Sequence, residues 1–147
     1  MLETLKIEFI DDNSFTVYYI TKDRFTEVED YKIMFKYINE ELEEKYNYTM
    51  HGYYDVNVYT NENIYILDFI YIDDYGRRDF NVSIFLNSKI LYKFYDSDLI
   101  NGIKYYYNDS FYVDINSILN DIRLYEYGSI VYGDEAELII RKAITVK

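Results

Sequence analysis

The stretch IYILDFIYI, residues 64–72, is apolar at every position except Asp68. A strand with one wet face alternates apolar and polar side chains, because successive residues point to opposite sides. A run without that alternation, closed off by Asn61-Glu62-Asn63 on one side and Asp73-Asp74 on the other, needs cover on both faces. It predicts a central strand, and the rest of the chain must supply a layer above it and a layer below.

The neighbouring segments fit that demand. YYDVNVYT, residues 53–60, sets Tyr54, Val56 and Val58 on one face and Tyr53, Asp55, Asn57 and Tyr59 on the other, so it predicts a hairpin with the central strand through the Asn-Glu-Asn loop. TLKIEFI and SFTVYYI, parted by Asp11-Asp12-Asn13, predict another, with strands near 4–10 and 15–20. Between the two hairpins, Thr26 and Glu29 stand in the relation of a capping box. Val28, Tyr31, Phe35, Ile38 and Leu42 then recur at helical spacing and predict a long helix ending near Tyr46 with one stripe on the sheet.

The turn-rich DDYGRRD, residues 73–79, is the strongest internal punctuation. Beyond it, FNVSIFL and KILYKFY around Asn87-Ser88 predict a third hairpin, and IKYYY with SFYVDI a fourth. DSDLING has room for a single helical turn, and SILNDIRL leaves open a short helix or a connection. GSIVYG suits a short strand entered and left through glycine, after which Asp134 and Glu137 can cap a short C-terminal helix with Arg141 and Lys142 in its last turn. The expected class is α+β: antiparallel hairpins forming a sheet or sheets, one long helix in the first half packed on the sheet, and one short C-terminal helix. It divides into an acidic β-β-α-β-β half, residues 1–75, and a hairpin-rich half, residues 76–147, which a single integrated domain would also accommodate.

Composition narrows the chemistry. With 147 residues the chain can bury a core without staples, and Cys 0 removes disulfides, thiolate metal sites and cysteine nucleophiles. Tyr 21 and Phe 9 favour strands, although a drift toward AT-rich codons explains much of that excess. The acidic N-terminal residues and the lack of any long apolar run predict neither an export signal nor a membrane span, and the expected location is cytoplasmic. The net charge of −12 is uneven: residues 1–75 carry −11 and residues 76–147 carry −1. Such a balance opposes direct phosphate or nucleic-acid binding, where lysine and arginine must displace counterions.

No catalytic motif stands out. Gly128 and Gly133 are spaced as in a phosphate loop, but Asp134-Glu135 replaces the lysine and hydroxyl that should follow and would repel phosphate. His51 is the single histidine and has no nucleophile elbow to serve, which favours a loop role. Asp11-Asp12, Asp73-Asp74 and Asp96-x-Asp98 could offer oxygen to a hard cation, yet each sits where turns want aspartate, and none follows the EF-hand pattern. No metal and no cofactor is expected. Arg77-Arg78 suits an internal link to the acidic half. The feature that breaks a local rule is NEELEEKY: Glu40, Glu41, Glu43 and Glu44 crowd a helix C-terminus, where the dipole is already negative. A solvated helix face tolerates glutamate; an acidic face held out to a basic protein segment is the functional alternative.

The order of elements resembles the MecA-type adaptor proteins of regulated proteolysis. LKIEFIDDNSFTVYYI, the acidic helix and GYYDVNVYTNENIYILDFIYI are similar to that family's substrate-binding domain; LYKFYDSDLI, SFYVDI and YEYGSIV, with Glu126, Tyr127, Gly128 and Ile130, are similar to its unfoldase-docking domain. The resemblance implies an adaptor with partner contacts at Glu126, Tyr127 and Gly128. The expectation is a non-catalytic protein-interaction module that presents Glu40, Glu41, Glu43 and Glu44 to a basic partner. Two alternatives stand beside it: an acidic nucleic-acid mimic that inhibits a DNA-binding enzyme, of phage or mobile-element type, and a small enzyme working through carboxylates.

Overall fold

A computed structural model describes residues 4–74, 79–118 and 129–146. The first hairpin is β1 (Thr4–Asp11) and β2 (Ser14–Ile20), followed by α1 (Val28–Tyr46), then β3 (Tyr53–Asn61) and β4 (Ile64–Asp73) as a second hairpin. After these come β5 (Asp79–Phe85), β6 (Leu91–Phe94), β7 (Lys104–Tyr107), β8 (Ser110–Asp114), β9 (Ser129–Val131), α2 (Gly133–Lys142) and β10 (Ile144–Val146). They make two five-stranded sheets, ordered β1-β2-β4-β3-β5 and β10-β7-β8-β6-β9. The class is α+β, with the long helix early and the short one near the C-terminus.

β4 is the middle strand of the first sheet, and its two faces feed two different cores. Tyr65, Leu67 and Phe69 join Val17, Tyr54, Val56 and Val58 beneath Tyr31, Met34, Phe35, Ile38 and Leu42 of α1. Ile64 and Ile66, with Ile20 of β2, meet Tyr92, Phe94 and Val113 of the second sheet. On the outer face of that second sheet, Leu91, Tyr112 and Val131 pack on Ala136 and Ile139 of α2. The layers therefore run α1, first sheet, second sheet, α2. Cover on both faces of β4 stops partway along it, because Ile70 and Ile72 lie past the reach of the second sheet and are 40% and 48% exposed.

Several local expectations shift. The capping box of α1 sits one residue later than Thr26 and Glu29 propose: Glu27 is the N-cap, and the Asp30 carboxylate accepts from the backbone N–H groups of Thr26 at 3.1 Å and Glu27 at 3.0 Å. Phe25 sets this start, since its N–H donates to the Tyr65 hydroxyl and its carbonyl accepts from the Tyr31 hydroxyl, holding it outside the helix. Val28 consequently falls in the first turn and is exposed, while Met34 completes the buried stripe. The helix stops at Asn47 in a left-handed conformation.

The third hairpin does not form. β5 pairs in parallel with β3 at the edge of the first sheet, whereas β6 belongs to the second. Residues 86–90 are tied instead to the β3–β4 turn, where Ser88 N–H donates to the Thr60 carbonyl at 3.0 Å and Asn61 Nδ2 to the Ser88 carbonyl at 3.0 Å. The fourth hairpin forms as expected, turning through Asn108 and Asp109, both at positive φ, the signature of a type I′ turn. Asp134 does not cap α2. The N-cap is Tyr132, which has no capping bond because its side chain reaches the first sheet instead. After α2 the chain adds the unforeseen β10, which pairs with β7.

Candidate interaction surface

The acidic helix end is brought to the Phe9 end of β1, where Tyr46 meets that ring. Glu40, Glu43 and Glu44 are exposed there. Glu41 is not part of that open face: it is half-buried and holds Lys45 at 2.8 Å, and the same pair keeps the Lys45 ammonium above its ordinary range. Glu43 accepts from Asn39 Nδ2 at 3.2 Å. Glu126, Tyr127 and Gly128 lie outside the described residues, as do Arg77 and Arg78.

Around the helix end the structure gathers groups that are far apart in sequence. Tyr46 packs edge-on against Phe9 of β1 at 5.5 Å, and Tyr48 contacts Phe9 at the same distance. Phe9 and Tyr46 nevertheless remain 42% and 43% exposed, with Ile10 beside them at 59%. The Asp11-Asp12 turn caps this strand pair, and Asp11 accepts from Asn13 N–H at 2.7 Å and from the Ser14 hydroxyl at 3.0 Å, bonds that hold its carboxyl below the usual range. Ser14 is in register with Ile70, which lies with Ile72 on the face left bare by the second sheet. The tip thus exposes Phe9 and Tyr46 on the α1 side and Ile70 and Ile72 on the other, and Asp11, Asp12, Glu40, Glu43 and Glu44 are exposed as well.

Sequence reasoning singled out Glu40, Glu41, Glu43 and Glu44 and did not single out Phe9, Ile10 or Tyr46. The signal was present in the Phe9-Ile10 doublet, where an apolar residue occupies the wet phase of an otherwise alternating strand.

His51 lies on the same side. Its Nε2 faces Asp74 Oδ1 at 3.2 Å, its Nδ1 lies 3.3 Å from the Thr49 carbonyl, and its ring contacts Tyr71 at 5.5 Å. Burial and the hydrogen bond to Asp74 push the Tyr71 phenol up to about 12. The next residue, Gly52, has φ +79°, and a Cβ there would collide with the Asp73 backbone carbonyl. His51 is therefore carried on a glycine-dependent turn and pinned by Asp74. Among the described residues no group of three or more His, Asp or Glu side chains is placed to hold a metal ion.

A second polar feature lies where the two sheets meet. One cross-strand row of the first sheet reads Glu8, Thr16, Asp68, Asn57, Ser83 from β1 to β5. At its centre Asp68 Oδ1 accepts from Thr16 Oγ1 and from the Tyr132 hydroxyl, each at 2.7 Å. Burial and then Asp68 drive the Tyr132 phenol far above its ordinary value, and burial with Glu8 and Asp68 raises Tyr18 to about 12. This node ties the start of α2 to the middle of the first sheet, and both hydroxyls are consumed in holding it.

Among the described residues no helix is long and apolar enough to cross a membrane. Comparison with protein-family models, with curated proteins and with solved structures finds no match.

Proposed function

We propose that the protein is a non-catalytic interaction module of adaptor type, which receives a basic protein segment at the tip of its first sheet. The observation that carries this reading is the exposed Phe9–Tyr46 pair at the end of α1 whose last turns expose Glu40, Glu43 and Glu44. Interfaces draw their energy from desolvated aromatic anchors and their partner choice from charge at the rim, and this tip offers both. The complementary ligand is a segment with lysine or arginine around one aliphatic or aromatic side chain. Clustering of the acids at one tip favours it over a nucleic-acid mimic, whose carboxylates would track a duplex along the surface.

Titrating the chain with basic peptides that carry one central Leu or Trp tests the proposal. The triple variant Glu40→Lys, Glu43→Lys, Glu44→Lys should weaken binding by at least about tenfold and flatten its salt dependence, while Phe9→Ser should weaken it by a similar factor with the salt slope intact. Peptide binding indifferent to both variants would overturn the reading.

A further inference from the structure

The edges of the two sheets are unequally protected. β1 places Lys6 and Glu8 on one outer face and bends through a bulge between Phe9 and Asp11, both devices that discourage pairing with another chain. β9 and β10 are three residues each. β5 has neither defence: it is seven residues long and lacks proline, and from Phe80 to Ser88 the sequence carries no charge. Its side chains also leave apolar surface open on both faces. Phe80, Val82 and Ile84 turn toward the α1 side yet stay only half-buried, and Phe85, stacked on Tyr59, is 46% exposed.

The backbone shows which groups face outward. Asp79 N–H donates to the Gly52 carbonyl at 3.0 Å, so Asp79, Asn81, Ser83 and Phe85 direct their main-chain groups to β3. Phe80, Val82 and Ile84 must then direct theirs away from the sheet. The Phe80 N–H is taken by the Asp79 carboxylate at 2.8 Å; for those of Val82 and Ile84 the described residues supply no partner.

The geometry points to a second copy of this chain as the occupant, added antiparallel through β5 about a twofold axis at Val82. In that register Val82 meets Val82, Phe80 meets Ile84 and Asn81 meets Ser83, so along the middle of the seam apolar faces apolar and polar faces polar; at its two ends Asp79 meets Phe85, and no like charges are opposed. The outward groups of Val82 bond reciprocally, and those of Ile84 bond Phe80 of the other copy once Asp79 yields. Charge argues for this edge in particular, since two chains of net −12 approach there along an uncharged strip. The seam is small against the roughly 800 Å² per partner of a standard interface, so a micromolar dimer is expected.

Sedimentation equilibrium of the full chain at about 100 μM should give twice the monomer mass. Val82→Pro removes an outward N–H and no bond to β3, so it should raise the dissociation constant by at least about tenfold while leaving the far-ultraviolet circular dichroism unchanged. Because the chain has no cysteine, the double variant Asn81→Cys, Ser83→Cys reports the register directly: oxidation should link two chains, and either single variant, offset by two residues, should link far less. The cross-link also decides the matter if Val82→Pro fails to fold. A monomer at this concentration, a dimer unaffected by Val82→Pro, or a double variant that stays unlinked would each overturn the inference.

Discussion

Asp68 shows how one side chain can be visible in the sequence while its purpose is not. As the lone charge in an apolar run it marks itself as an exception, but its partners lie 52 and 64 residues away. Removing it strands the Thr16 and Tyr132 hydroxyls where water reaches poorly, so Asp68→Ala should cost about 2–4 kcal/mol, and Asp68→Asn, which keeps an acceptor, clearly less. Urea denaturation of the two variants measures the difference. Gly52 is the reverse case, one of only 5 glycines and unremarkable until its backbone is seen. Gly52→Ala must either abandon positive φ or displace Asp73, and a loss of about 2–4 kcal/mol is expected by the same measurement.

Elements were legible where their instructions are local. Both hairpins of the first half, the stripe of α1 and its end at Tyr46 follow from periodicity and turn chemistry within a few residues, and Leu42→Ala, cutting a fully buried side chain of that stripe, should cost about 2–5 kcal/mol in thermal or urea unfolding. β5 was not legible in the same way. Its alternation is correct for a strand, and Asn87 takes the positive φ that a hairpin turn would want, yet neither records which sheet the strand joins. That choice rests on Phe35 contacting Phe80 at 4.9 Å and on the β3–β4 turn capturing Ser88, contacts that connect distant parts of the chain. β10 escaped because three residues carry too little pattern to register. Of the candidate surface, the glutamates were legible as a broken helix rule; the exposed Phe9–Tyr46 pair was not, because it requires β1 and the end of α1 to meet.

At the scale of the whole molecule, tyrosines set the alkaline limit. Tyr18 and Tyr31 are raised to about 12, mainly by burial, and Tyr54, Tyr59 and Tyr132 are raised by the same cause. A phenol whose folded value exceeds its unfolded value near 10 contributes in full below pH 10, and its contribution declines as the unfolded chain ionises above that point. Stability from this source should therefore be flat between pH 7 and 9 and fall with more than one proton's slope above about pH 10, with Tyr132→Phe reducing the slope; urea midpoints across that range test it. The layer order has a further consequence during synthesis. Ile20, Ile64 and Ile66 are complete as a ridge once β4 has emerged, but Tyr92, Phe94 and Val113, which cover them, follow tens of residues later. On the ribosome the growing polypeptide must therefore carry a bare isoleucine ridge through that interval, which exposes it to aggregation and makes slowed translation between the two sheets hazardous.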